Sequence, residues 1–224
     1  MPGTITAVSL LADLQAVSDS AAFPNRHYRG DADVLGVRMG TLFDIAKRHQ
    51  NMPLAEVDRL LDEPAYEPRL AAFCVLDFQV RRRGITDSER EERYGLYLDR
   101  HDRIDTWDMV DRAAPRVVGQ FLRDRPREPL FALAASPDPL RRRTAMTAPL
   151  DYTRPANPEG ITDLLRIAEI LADDADPLVS RPVGIALKHA GAVAADEVRD
   201  FLDRLGGRLP AAVRREARAK LPSI

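Results

Sequence analysis

The placement of its prolines constrains this chain more than any other feature. Pro53, Pro68, Pro126, Pro139, Pro158, Pro177 and Pro210 each stand at or just before a segment whose apolar residues recur with helical spacing. A proline at the first helical position gives up an N–H that has no partner there, whereas inside a sheet it removes a ladder bond. No segment alternates apolar and polar residues between hairpin turns, so the chain reads as all-α. Helices are predicted near 4–21, 37–50, 54–63, 68–83, 87–101, 105–123, 127–135, 139–152, 158–172, 177–193, 195–205 and 210–221. Pro115, Pro149 and Pro182 fall inside these spans, where a proline kinks a helix or moves its boundary.

Alternate helices begin alike. The starts are Arg69-Leu70-Ala71-Ala72, Asp111-Arg112-Ala113-Ala114, Arg143-Thr144-Ala145-Met146, Arg181-Pro182-Val183-Gly184 and Arg215-Glu216-Ala217-Arg218, with lead residues 42, 32, 38 and 34 positions apart. Paired helices at intervals of this size are the signature of HEAT and armadillo arrays. The fold class that follows is a curved α-α superhelix, a solenoid of HEAT-like helix pairs. Residues 1–224 then form one repeat domain, with 1–30 an N-terminal helix and connector and 31–224 the array. In such a stack the lead positions share one inner surface, so four arginines border a groove and Asp111 is the slot where the charge reverses. A second reading stays open: small residues at these starts simply let helices approach, and the arginines decorate helix ends.

Composition narrows the function classes. Formal charge is −2 with 30% charged residues, so no global electrostatic field favours nucleic acid and only the distribution of charge can. That distribution is uneven, with basic clusters at Arg81-Arg82-Arg83, Arg141-Arg142-Arg143 and Arg214, Arg215, Arg218 and Lys220. No stretch approaches the roughly 18 uninterrupted apolar residues of a membrane span. The segment 5–17 carries Asp13 and lacks the basic start of a secretory signal, so a cytoplasmic protein is expected. The single cysteine, Cys74, lies in the apolar run 70–76 and reads as core packing.

The only tryptophan, Trp107, precedes Asp111 by four residues, which places both on one helical face. An indole beside a carboxylate can cradle a sugar or cationic group that gains positive charge as it reacts. Asp105 and Asp108 read differently, as the N-cap and third residue of a helix start. Asp111 lies beyond the first turn, where neither capping nor the helix dipole accounts for it, although a solvated aspartate also fits there. Asp102, Asp105, Asp108 and Asp111 recur every third residue beside His101, yet the run lacks the glycine turn and closing glutamate of a calcium loop, so no metal is assigned. His27, His49 and His189 stand far apart in sequence and read as surface or groove residues.

Four segments carry a family likeness: Leu35-Gly36-Val37-Arg38-Met39, Thr106-Trp107-Asp108-Met109-Val110-Asp111, Arg142-Arg143-Thr144-Ala145 and Val183-Gly184-Ile185-Ala186-Leu187-Lys188. On these the chain, from about Tyr28 onward, resembles the AlkD-like family of bacterial DNA alkylation-repair glycosylases, built from HEAT-like repeats. The resemblance implies a monofunctional enzyme that hydrolyses the N-glycosidic bond of cationic N3- or N7-alkylated purines in duplex DNA and leaves an abasic site. It implies Asp111 as the catalytic carboxylate, Trp107 as an aromatic wall and Arg143 as an arginine near the damaged nucleotide. Arg142, Arg181, Arg38, Lys188 and Arg215 are the further DNA-binding candidates. The implied partner is alkylated double-stranded DNA, with no cofactor and no obligate protein partner. The protein would then act as a monomer in the cytoplasm, associated with the nucleoid when bound.

Two positions depart from the family pattern. Ile185 stands where a second aromatic is usual after the glycine, and Asp138-Pro139-Leu140 lacks the aromatic that often precedes the arginine triplet. Losing one aromatic wall removes about 0.5–2 kcal/mol of cation–π stabilisation. The alternatives are a non-catalytic solenoid that binds distorted or branched DNA, and a protein-interaction scaffold.

Overall fold

The computed structural model describes residues 5–153 and 157–222, and every regular element among them is helical. Thr4, the expected start of the first helix, lies outside the described residues. The chain groups into two compact units, residues 1–113 and 114–224.

In the first unit the helices are α1 (Ala7–Gln15), α2 (Met39–Arg48), α3 (Leu54–Leu61), α4 (Tyr66–Val80), α5 (Asp87–Asp99) and α6 (Trp107–Ala114), the last running to the unit boundary. Side chains fix where several of these begin. Thr6 and Ser9 close a capping box on α1, and Thr86 and Glu89 do the same on α5. The core is α4, which is buried on all sides, with only Arg69 and Phe78 partly exposed. Its polar residues Glu67, Asp77 and Gln79 are buried with partners of their own, and α2, α3 and α5 pack against it. Leu70, Phe73 and Leu76 are almost fully buried there, each worth roughly 1.5–3 kcal/mol relative to exposure.

The first helix is shorter than its predicted span. After Gln15 the chain turns so that Asp19 donates its N–H to the Gly36 carbonyl at 2.9 Å. Gly36 has φ 80°, and a Cβ there would sit 2.3 Å from the Ser20 backbone, so both the turn and the close approach require glycine.

The second unit holds α7 (Glu128–Ala134), α8 (Pro139–Thr147), α9 (Pro158–Ile170), α10 (Pro177–Gly191), α11 (Ala195–Leu205) and α12 (Ala211–Ala217). Asp138 and Asp176 cap α8 and α10 by accepting the N–H two residues on, each followed by a proline at the first helical position. The interior prolines resolve in three ways. Pro115 opens a π-helical turn (Pro115–Gly119), and Pro149 sits in a 3-10 turn (Ala148–Asp151). Pro182 remains inside α10.

That last proline removes the N–H that the Leu178 carbonyl would accept four residues on. Arg143 of α8 supplies the replacement, its Nη1 donating to Leu178 O at 2.8 Å. The packing of α8 on α10 is therefore completed by a side chain standing in for a backbone donor.

Candidate active site

The outward face of α6 is set by what its inward face holds. Met109, Val110 and Ala113 are fully buried. Arg112 places Nη2 2.9 Å from the carboxylate of Asp77, itself 2% exposed. Its guanidinium also lies 4.8 Å from the ring centres of both Phe43 and Phe78, a double cation–π sandwich. With Arg112 turned to the core, the face carrying Trp107 and Asp111 is turned to solvent. Trp107 is 39% exposed and Asp111 is exposed as well. Four residues apart on one helix, the two side chains lie on the same side of α6.

Behind Trp107 lies a polar network that local sequence spacing did not suggest. The His27 ring meets the Trp107 indole edge-on at 6.3 Å. Its Nε2 lies 2.9 Å from the Tyr66 hydroxyl and 3.1 Å from Asp108 Oδ2. Tyr66 donates to that same Asp108 oxygen. With the phenol proton already directed to the carboxylate, a proton on Nε2 gives His27 two acceptors to share.

Tyr66 stacks on Tyr28 with ring centres 4.5 Å apart. Tyr28 donates to Asp105 Oδ2 at 2.5 Å, and Arg69 Nη2 reaches the same oxygen at 2.7 Å. Burial, and then the Asp108 charge, push the Tyr66 hydroxyl far above its ordinary range. Burial and the Asp105 hydrogen bond raise Tyr28 in the same direction. Both phenols therefore stay protonated and act as donors at neutral pH. Asp105 is not the N-cap expected of it: α6 begins at Trp107, and the Asp105 carboxylate is occupied by Tyr28 and Arg69.

His27, expected as a surface or groove residue, bridges Trp107 to Asp108. The two lie about eighty positions from it along the chain, so no local pattern could pair them.

The other expected residues sit as follows. Arg38 is exposed at the residue preceding α2. In the second unit Arg142 is engaged internally, with Nε on Asp174 at 2.6 Å and Nη1 on the Ser136 and Pro137 carbonyls. Arg143 is 7% exposed and committed to Leu178 O. Lys188 pairs with Glu216, and its ammonium holds that carboxyl below its usual range. Arg181, Arg215 and Ile185 are exposed. Among the described residues no three His, Cys, Asp or Glu side chains converge as metal ligands, and no helix is long and apolar enough to cross a membrane.

The family model of the DNA alkylation repair enzymes matches residues 10–221. The chain belongs to that family. Its fold is that of solved family structures. A predicted DNA alkylation repair enzyme from Enterococcus faecalis is 14% identical, with 92% of this chain and 93% of that one covered and a TM-score of 0.64. AlkD2 from Streptococcus mutans is 16% identical over 97% and 98% of the two chains, with a TM-score of 0.59. The smu.31 protein of Streptococcus mutans UA159 is 17% identical over 96% and 94%, with a TM-score of 0.55. No curated protein sequence matches the chain. At these identities the structural likeness fixes the helical-repeat fold alone. A role in DNA alkylation repair rests on membership of the family.

Proposed function

We propose that this member of the DNA alkylation repair enzymes is a monofunctional glycosylase for cationic N3- and N7-alkylpurines in duplex DNA. The observation that carries the reading is that Trp107 and Asp111 are both exposed on one side of α6, while Met109, Val110 and Ala113 are buried and Arg112 turns to Asp77. Trp107 keeps 39% of its surface exposed even with the His27 ring set edge-on against it, so part of the indole is open to a ligand.

The chemistry suits that pair. An alkylated purine already carries positive charge, so the electrons of the breaking C1′–N bond neutralise the base and no acid is needed to protonate it. Positive charge builds on the sugar instead, where the Asp111 carboxylate stabilises it and orients a water for attack on C1′. The water proton passes to Asp111 or to solvent, and the products are free base and an abasic site. The Trp107 face packs on the deoxyribose. Neither a cofactor nor a Schiff-base lysine enters. Arg38, Arg181 and Arg215 are exposed and can take backbone phosphates directly. Arg142, Arg143 and Lys188 would have to leave internal partners to do so.

The test is release of 7-methylguanine from duplex DNA by the wild type, Asp111→Asn and Trp107→Ala. Release by the wild type, none by Asp111→Asn, and a roughly 2- to 30-fold slower rate for Trp107→Ala are expected, the last from about 0.5–2 kcal/mol of cation–π stabilisation. Equal release by wild type and Asp111→Asn overturns the assignment. A second reading, DNA binding without excision, is favoured by Ile185, an exposed aliphatic residue where the family pattern has an aromatic. Tight binding with no release by any of the three proteins would select it.

A further inference from the structure

An open cavity of about 500 Å3 is lined in part by His27, whose ring also meets Trp107. Its walls come from two segments. One carries Phe23, Asn25, Arg26 and His27, and the other carries Arg38 and Met39 at the start of α2. Phe23 is 39% exposed. Arg26 and Arg38 are exposed and have no hydrogen-bond or ion-pair partner for their side chains among the described residues, unlike Arg142 and Arg143. An aromatic face with two uncommitted guanidinium groups is the composition that takes a base by stacking and its phosphates by charge. The volume lies in the range of pockets that hold a ligand of nucleotide size.

One buried carboxylate builds both walls. Glu67, the second residue of α4 and 0% exposed, accepts on Oε1 from Gly36 N at 2.9 Å, Val37 N at 3.3 Å and Asn25 Nδ2 at 2.5 Å, and on Oε2 from Leu35 N at 2.8 Å. The Asn25 side chain thereby ties the Phe23 segment to α4, and the three backbone N–H groups tie the Arg38 segment to the same point. Asn25 sits at φ 41°, a left-handed conformation that asparagine tolerates better than most residues. The cavity is thus pre-formed, and a ligand entering it does not have to order its walls.

We propose that this cavity is a subsite for one unstacked nucleotide of the DNA strand, lying one position from the nucleotide that meets Trp107. Phe23 takes the base, and Arg26 and Arg38 take the phosphates on either side. A base inside an intact duplex shows its face only to its stacked neighbours, so the subsite confers preference for DNA with an unpaired nucleotide near the lesion. This deepens the function proposed above and rests on its DNA-binding half, not on excision.

The experiment compares two duplexes carrying 2-aminopurine, one with it as a single unpaired nucleotide and one with it paired to thymine. Free 2-aminopurine deoxyribonucleoside monophosphate is a third ligand. Affinity is read by titration, and stacking by quenching of 2-aminopurine fluorescence. About tenfold tighter binding and strong quenching of the unpaired duplex are expected, with no saturable binding of the free nucleotide. Phe23→Ala and Phe23→Leu should both erase the preference and the quenching while leaving affinity for the paired duplex in place. The leucine variant keeps apolar bulk and separates loss of the ring face from loss of packing. Arg26→Gln with Arg38→Gln should weaken both duplexes and make the slope of log affinity against log salt shallower by about 2. No preference in the wild type, a preference that survives in both Phe23 variants, or equal quenching of the free nucleotide overturns the subsite. Because no arm depends on base release, failure of excision and failure of the subsite are read separately.

Discussion

Pro182 and Arg143 form a compensating pair that a double-mutant cycle can measure. Pro182 sits within α10 and cannot donate to Leu178 O, while Arg143 Nη1 does so from α8 at 2.8 Å. Arg143→Met keeps most of the buried stem and removes the donor. The half-buried Leu178 carbonyl then loses its charged donor, a loss of about 1–3 kcal/mol. Pro182→Ala restores a backbone N–H at the position from which a helix normally serves that carbonyl. In the Pro182→Ala background Arg143→Met should therefore cost markedly less, by a coupling of about 1–2 kcal/mol, within the span measured for groups sharing one hydrogen bond. Urea unfolding followed by helical circular dichroism gives the four free energies. Additivity to within about 0.5 kcal/mol would refute the idea that the arginine stands in for the missing donor. Duplex binding by Arg143→Met at several salt concentrations separates a structural role from a phosphate contact. A structural arginine changes stability and leaves the salt slope of duplex binding alone, whereas a phosphate contact shallows that slope by about 0.9.

Three further outcomes are expected. Glu67→Ala strips acceptors from two buried backbone N–H groups, Gly36 and Val37, and should cost about 2–6 kcal/mol in urea unfolding. Glu67→Gln keeps one acceptor oxygen and should fall between that variant and the wild type; a cost under about 0.5 kcal/mol for the alanine variant would contradict the clamp. Arg181→Gln should leave stability unchanged and make the salt slope of duplex binding shallower by about 0.9, and an unchanged slope would remove Arg181 from the phosphate contacts. Cys74 is fully buried, and burial pushes its thiol up to about 12 from an ordinary 9.0. Between those values the unfolded chain ionises and the folded one does not, so this group's stabilising contribution is intact below pH 9 and declines as pH rises towards 12. An aromatic disulfide reagent at pH 8 should label the thiol only as fast as the protein unfolds, and rapid labelling of the native protein would show the burial to be wrong.

The parts of the fold legible in the sequence were those governed by short-range chemistry. Prolines at first helical positions and aspartates before them mark α8 and α10, because caps and missing N–H groups act within one turn. Trp107 and Asp111 share an exposed face because a spacing of four is fixed by helical geometry alone. What stayed hidden depended on contacts between distant segments. Asp105 looked like a cap until Tyr28 and Arg69, 77 and 36 positions away, claimed its carboxylate. Gly36 gave no sign that it ends the N-terminal helical region early, since the reason is the approach of the Ser20 backbone. Arg143 resembled an open cation for the same reason: its partner is a carbonyl bared by a proline in a different helix.

Asp111 and Arg112 are adjacent and carry opposite charges, and the helix turns one to solvent and the other towards the core. Arg112 turns inward to the buried Asp77 carboxylate, which it shares with Arg81, and Phe43 and Phe78 supply two aromatic faces for its guanidinium. With that residue fixed, the pitch of the helix decides where Asp111 points, and little freedom is left to the carboxylate's backbone. Trp107 is steadied in turn by His27, which Tyr66 and Asp108 hold from behind. If the proposed excision holds, the sugar cation it forms is best stabilised by groups that need not move as the charge appears. The buried polar contacts on the inner side of α6 therefore fix the helix face on which Trp107 and Asp111 lie.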